Sequence, residues 1–224
     1  MAHYEIEVKT LLGEKANADA LTARMRELDP ACTCVSTNKQ LNHYFKGGNI
    51  QSLYEKTKHL LEDTMKEKFH LIVEKGTNFS VRTRQKDDEV LLVVKASVDA
   101  GTSENTVSRL EFEEAVPCTL TELDTLIQEA GFSYQAKWSR EREEYTYKGA
   151  NVCIDKNAGY GYLAEFEKIV HDDLNLTGVR SEIDALMEEL GVEELPQARL
   201  ERMFDFYNKN WPEYYGTNKT FFIE

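Results

Sequence analysis

Residues 150–170 read ANVCIDKNAGYGYLAEFEKIV. Two strand-like runs, 150–156 and 162–170, flank Gly159 and Gly161, residues that suit a turn. Strand side chains alternate between faces, so Glu165 and Glu167 point one way and Phe166 the other. Asp155 is a carboxylate set within the first, largely apolar run. Such a pattern has two readings. Either the charges form the solvated face of an ordinary antiparallel sheet, or they line an interior whose apolar outer face is covered by helices.

The same spacing recurs along the chain. Glu5, Glu7 and Lys9 share one face of a strand over 3–12, with Tyr4, Ile6 and Val8 on the other. Arg82 and Arg84 share a face within 79–85, and Lys95 lies near the end of an apolar strand over 89–97, the two strands joined by a turn at 86–88. Arg109, Glu111 and Glu113 share a face within 106–116, and Arg140 and Arg142 within 133–148. A further strand over 34–46 ends at Gly47-Gly48-Asn49.

Two features favour the enclosed face. Lysine–glutamate mixtures are typical of solvated faces, whereas here arginines come in pairs on two strands and carboxylates in pairs on three. Helical segments also supply apolar stripes that need a partner. One spans 16–29, with Leu21, Met25 and Leu28 in its stripe, Asn17 or Asp19 as cap and Pro30 as stop. An inserted amphipathic helix over 50–69 carries Leu53, Leu60, Leu61, Met65 and Phe69, and its Lys/Glu-rich remainder reads as a solvated face. A helix over 119–130 starts at Thr119 or Thr121 and ends at Gly131. Two more, over 180–190 and 196–209, are separated by Gly191 and Pro196, and the aromatic tail Tyr214-Tyr215 to Phe221-Phe222 is read as docking on the body. About eight strands, mostly antiparallel, with intervening helices make an α+β fold, and closure into a barrel would remove its exposed edges.

Composition bounds the chemistry. The 224 residues carry a formal net charge of -13, which opposes nucleic acid and acidic membranes over most of the surface, so a polyanionic substrate demands a local basic cavity. No run approaches the length of a membrane span. The start Met1-Ala2-His3-Tyr4-Glu5 has neither basic region nor apolar signal core, which points to the cytoplasm. The cysteines Cys32, Cys34, Cys118 and Cys153 are read as reduced thiols, because Cys32-Thr33-Cys34 has no second cluster to complete a zinc site. The proposed inward acids (Glu5, Glu7, Glu111, Glu113, Asp155, Glu165, Glu167) match the bases (Lys9, Arg82, Arg84, Lys95, Arg109, Arg140, Arg142) one for one. A lumen of this kind must be paired or wet. Adding a divalent cation and a triphosphate changes the total little. Guanidinium forks match phosphate oxygens, and clustered carboxylates match Mg²⁺ or Mn²⁺.

The run Glu5-Ile6-Glu7-Val8-Lys9 resembles the N-terminal ExExK signature of the CYTH superfamily, the triphosphate tunnel metalloenzymes. The rest follows in the family's order. Phe79-Ser80-Val81-Arg82-Thr83-Arg84 is similar to the paired-arginine strand, Leu92-Val93-Val94-Lys95 to the lysine strand, and Arg109-Leu110-Glu111-Phe112-Glu113 to the RxExE strand. Arg140 and Arg142 fall in the late basic strand. Asp155, Gly159, Gly161 and Glu165-Phe166-Glu167 resemble the closing DxxxGxGxxxExE element. The resemblance covers about residues 3–170. It implies a closed eight-stranded antiparallel tunnel over 1–175, with residues 176–224 forming C-terminal helices and a tail packed on it. The 50–69 insert is longer than in compact members. Mammalian thiamine triphosphatases have a tryptophan where this chain has Ser80, which argues against stacking of a thiamine ring.

The resemblance implies divalent-metal-dependent hydrolysis of tripolyphosphate or an organic or nucleoside triphosphate. Glu5, Glu7, Glu165 and Glu167 would hold a cation, with Asp155 or Glu113 near a second. Lys9, Arg82, Arg84, Lys95, Arg109, Arg140 and Arg142 would cradle the phosphates, with Lys9, Arg82, Arg84 and Asp155 taking part in the chemical step. The alternatives are a class IV adenylyl cyclase making cyclic AMP and pyrophosphate, and a non-catalytic polyphosphate or nucleotide binder; under every reading the chain is expected as a monomer or homodimer. His43 is read as structural and Tyr44 as packed or touching a substrate base. Trp138 and Tyr162 carry the same two readings, Lys137 and Lys156 either extend the basic lining or lie on the surface, and Gly159-Tyr160-Gly161 is a turn rather than a phosphate loop.

Overall fold

The computed structural model describes residues 4–97, 109–170 and 176–224; the side chains of Tyr4, Glu5, Arg109, Val170 and Leu176 lie outside the described residues. Residues 106–108 of the expected fifth strand and His3 of the first also fall outside them.

The strands are β1 (Tyr4–Gly13), β2 (Thr33–Gly47), β3 (Thr77–Lys86), β4 (Glu89–Ser97), β5 (Arg109–Ala115), β6 (Phe132–Tyr147), β7 (Ala150–Asn157) and β8 (Gly161–Val170). The helices are α1 (Lys15–Leu28), α2 (Ile50–Thr57), α3 (Asp63–Lys75), α4 (Leu120–Glu129), α5 (Leu176–Leu190) and α6 (Gln197–Tyr214). Hydrogen bonding orders the strands β1-β8-β7-β6-β2-β3-β4-β5. The fold is therefore α+β, with one eight-stranded antiparallel sheet. The order ends at β1 and β5, and no ladder joins those two among the described residues, so the expected barrel is not closed by hydrogen bonds.

The insert expected as one helix over 50–69 is two. α2 ends at Thr57, a 3-10 turn covers Lys58–Leu60, and α3 restarts behind Glu62. The break lets Leu53, Leu61, Phe69 and Ile72 all reach one apolar cluster, which a continuous rod would not. α1 starts at Lys15, earlier than a cap at Asn17 or Asp19 would require, and Asn17 instead donates from Nδ2 to the Leu12 carbonyl at 2.7 Å. α4 is capped at Thr119, the first of the two expected positions, in a full capping box with Glu122 answering on the backbone.

Residue contacts divide the chain into two compact units. The first comprises Met1–Lys39 with Ser139–Glu224, the second Gln40–Trp138. In the first, β1, β7, β8 and the later part of β6 turn one face to α1 and α5. Val8, Tyr145, Tyr147, Val152, Ile154, Ala164 and Phe166 there meet Leu21, Met25, Ile183 and Met187, all buried. The aromatic tail packs in this unit. Phe221 contacts Tyr160, Phe206 and Tyr214, and its N–H donates to the Gly159 carbonyl at 2.8 Å. In the second unit, Phe45, Val81, Leu92, Val94 and Phe112 pack on Leu53, Phe69, Ile72, Leu123 and Ile127 of α2, α3 and α4. In both units the helices thus take the apolar strand faces, and the charged doublets lie on the faces opposite.

Candidate active site

The polar face of the first unit is built by register. β1 pairs with β8 so that Glu7 stands opposite Glu167 and Lys9 opposite Glu165. β8 pairs with β7, placing Glu165 opposite Cys153 and Glu167 opposite Asn151. β7 pairs with β6, placing Asp155 opposite Arg142 and Asn157 opposite Arg140. Directly opposed residues share a face. Thus Glu7, Lys9, Arg140, Arg142, Asp155, Glu165 and Glu167 share one face of this part of the sheet. The Glu5 side chain lies outside the described residues, although its backbone occupies the next position of that face, opposite Ile169.

These groups form an ionic lattice. Asp155, 1% exposed, accepts a two-pronged fork from Arg142, Nε at 2.7 Å and Nη2 at 2.6 Å, and a third bond from Arg140 Nη1 at 3.1 Å. Arg142 Nη2 also reaches Glu165 at 2.5 Å. Lys9 lies 3.3 Å from Glu165 and is also paired with Glu7. Glu167 accepts from Asn151 Nδ2 at 3.5 Å. Burial alone would lower the Arg142 guanidinium, but Asp155 and Glu165 raise it above its ordinary value. Burial alone would raise Glu165, but Lys9, Arg142 and Arg140 hold its carboxyl below the usual range. Both groups therefore carry full charge near neutral pH. Cys153, on the same face, is pushed up to about 12 by burial and stays a thiol.

The polar face of the second unit is laid out in the same way. β2 pairs with β3, placing Asn42 opposite Arg84 and Tyr44 opposite Arg82. β3 places Ser80 opposite Lys95 of β4, and β4 places Lys95 opposite Glu111 and Val93 opposite Glu113. Arg84 donates to Glu113 at 2.5 Å and Lys95 to Glu111 at 2.7 Å. Arg109 stands opposite Ser97, with its side chain outside the described residues. Sequence reading passed over Asn42, which accepts from Arg84 Nε at 2.8 Å, and gave Tyr44 no role toward Arg82. Asn42 and Tyr44 show the same i, i+2 spacing as the arginines, but only the β2–β3 register says which partner each meets.

His43 lies on the opposite, helix-covered face. It is 4% exposed, and its Nδ1 is 2.7 Å from Asp124 Oδ2. Thr83 and Tyr134 donate to the same carboxylate at 2.7 and 2.6 Å. His43 is therefore a member of a buried structural network, as its isolation in the sequence suggests. Lys137 lies over the Tyr134 ring at 4.1 Å, and Lys156 pairs with Glu141 at 3.2 Å.

Carboxylate oxygens are the right donors for Mg²⁺ or Mn²⁺. Among the described residues, however, no group of three or more carboxylates, histidines or cysteines is gathered to hold a metal ion. Lys9 and Arg142 occupy the oxygens of Glu7 and Glu165 instead. The donor type, carboxylate oxygen, is the one such a cation takes, while the carboxylates of this face are engaged by cationic side chains.

Also among the described residues, no helix is long and apolar enough to cross a membrane. No curated protein matches the chain in sequence. Among solved structures, the PH1819 protein of Pyrococcus horikoshii OT3 is 20% identical, with a TM-score of 0.59, covering 91% of this chain and 99% of that one. A conserved hypothetical protein of Pyrococcus furiosus is 16% identical at a TM-score of 0.59, covering 88% and 99%. A protein of Vibrio parahaemolyticus provisionally assigned as an adenylate cyclase is 13% identical at 0.58, covering 92% and 99%. These likenesses establish a shared fold. The CYTH domain model matches residues 73–199, which include both arginine doublets and the Asp155–Glu167 element, while β1 brings Glu7 and Lys9 to that element by pairing with β8. On these grounds the chain belongs to the CYTH domain family.

Proposed function

We propose that this chain hydrolyses a triphosphate-bearing substrate, inorganic tripolyphosphate or an organic or nucleoside triphosphate, with Mg²⁺ or Mn²⁺ as cofactor. The observation that carries the reading is the lattice in which Arg142 spans Asp155 and Glu165 while Lys9 spans Glu7 and Glu165. A lattice of alternating signs on one strand face is exchangeable. Phosphate oxygens replace carboxylate oxygens on the guanidinium forks with the same geometry. The carboxylates so released are hard donors on adjacent strands. Glu7, Glu165 and Glu167, with Glu5 at the next position, would hold the divalent cation, which neutralises charge on phosphoryl oxygens.

In this reading the phosphate chain is bound by the basic groups of the family's pattern, Lys9, Arg82, Arg84, Lys95, Arg109, Arg140 and Arg142. Phosphoryl transfer to water spreads charge over the equatorial oxygens, so preoriented guanidiniums stabilise the transition state more than the ground state. Lys9, Arg82 and Arg84 are assigned to the transferring group. Asp155 contributes by orienting Arg140 and Arg142.

A product assay tests the proposal. Purified protein is given tripolyphosphate, ATP and thiamine triphosphate with each metal, and orthophosphate, pyrophosphate and cyclic AMP are separated. Metal-dependent orthophosphate release is expected. Cyclic AMP with pyrophosphate would replace hydrolysis by cyclisation, and no product from any substrate would leave a binding module.

A further inference from the structure

The two arginines of β3 differ in how their charge is met. Arg84 has the Glu113 carboxylate at 2.5 Å. Arg82 has no carboxylate partner among the described residues. Its Nη1 donates to the Tyr44 hydroxyl at 2.9 Å, its guanidinium carbon lies 5.1 Å from the Tyr44 ring centroid, and its Nε is shielded from solvent with no hydrogen-bond partner. A shielded guanidinium donor without an acceptor is costly, and it is the donor an incoming anion satisfies. Asn42 meets Arg84 in a related way. Its buried Oδ1 accepts from Nε at 2.8 Å, and the amide is in turn held at 3.5 Å from Gln40 Oε1.

Both partners on β2 are neutral. A carboxylate in either place would orient the guanidinium and also discharge it. A phenol and an amide orient it without themselves supplying a counter-charge. The ring adds the attraction of a π-face to a cation, again with no counter-charge. We infer that Tyr44 and Asn42 are positioning residues that aim Arg82 and Arg84 at the phosphate chain, with Arg82 the first anchor because an anion there displaces no carboxylate. This deepens the triphosphatase reading and rests on it for the identity of the anion.

The experiment has two arms. The first needs no substrate. The Nε–Hε resonances of arginine are recorded in ¹⁵N-labelled wild type, Tyr44→Phe and Asn42→Leu. The Arg84 resonance should be shifted and slow to exchange in wild type and lose both features in Asn42→Leu. The Arg82 resonance should move in Tyr44→Phe. The second arm measures tripolyphosphate turnover. Each variant should raise KM about tenfold at a melting temperature close to wild type, the effect of a misaimed clamp. Arginine resonances indifferent to both substitutions would overturn the positioning role. So would unchanged KM beside a lowered melting temperature, the mark of a purely structural part. Resonances that respond in a protein that turns over no triphosphate would support the positioning and sink the activity on which the anion's identity rests.

Discussion

Replacing Asp155 with alanine probes the lattice most directly. The carboxylate is 1% exposed and accepts three charge-assisted bonds from two arginines. Deleting one partner of a buried ion pair destabilises by about 3–5 kcal/mol, because the remaining charge stays buried. Arg142 keeps Glu165 at 2.5 Å, which places the expected loss near the lower end, about 3 kcal/mol. For a chain of this length each kcal/mol moves the midpoint by roughly 2–4 °C, so melting should fall by about 6–12 °C. The lattice makes a second, stricter demand. Tripolyphosphate supplies the anionic oxygens that the variant lacks, so saturating polyphosphate should raise the variant's melting temperature by more than it raises that of wild type. Differential scanning calorimetry with and without polyphosphate reads both quantities. A variant that melts within a degree of wild type, or the same ligand-induced shift in both proteins, would refute the exchangeable-lattice argument.

Three further outcomes follow from particular contacts. Arg82→Ala should lower tripolyphosphate turnover on the order of 10²–10³, the loss expected for one preorganised donor, and wild-type rates would remove Arg82 from the site. Burial would raise Asp124, but bonds from His43, Tyr134 and Thr83 hold it below the ordinary aspartate value; its stabilisation is therefore complete above the unfolded-state value of about 3.9 and is lost as pH falls through the lower folded value. Asp124→Asn should accordingly lower the melting temperature by a constant amount between neutral pH and about pH 5 and flatten its dependence below about pH 4, as acid-melting profiles would show. At Gly161, with φ +74°, a Cβ would lie 2.3 Å from the Gly13 carbonyl oxygen, so Gly161→Ala should destabilise by more than the roughly 1–2 kcal/mol of the left-handed backbone alone, measured by urea unfolding.

Much of the fold is legible in the order of residues because strand and helix periods are local. The β7–β8 turn at Gly159 and Gly161, the capping box at Thr119 and the strand bearing Arg82 and Arg84 can all be read from neighbours a few places away. The insert over 50–69 misleads for the same reason. Its apolar spacing suits one rod, but Leu61 and Phe69 have to enter one cluster with Leu53, and the chain breaks at Lys58–Leu60 to bring them there. The site divides along the same line. That Glu165 and Glu167 share a face follows from pleating alone. That Arg142 bridges Asp155 and Glu165, and that Asn42 meets Arg84, depends on register between strands distant in sequence.

Sequence by itself determined which charged groups travel together, since alternation along a strand needs nothing beyond the strand. Tertiary structure decided which of the two faces the helices cover and which cation each carboxylate meets. Sliding a strand by one residue would turn its apolar set away from the helices, so burial of that set holds the register. The ionic partners on the other face follow from a choice made by the hydrophobic one.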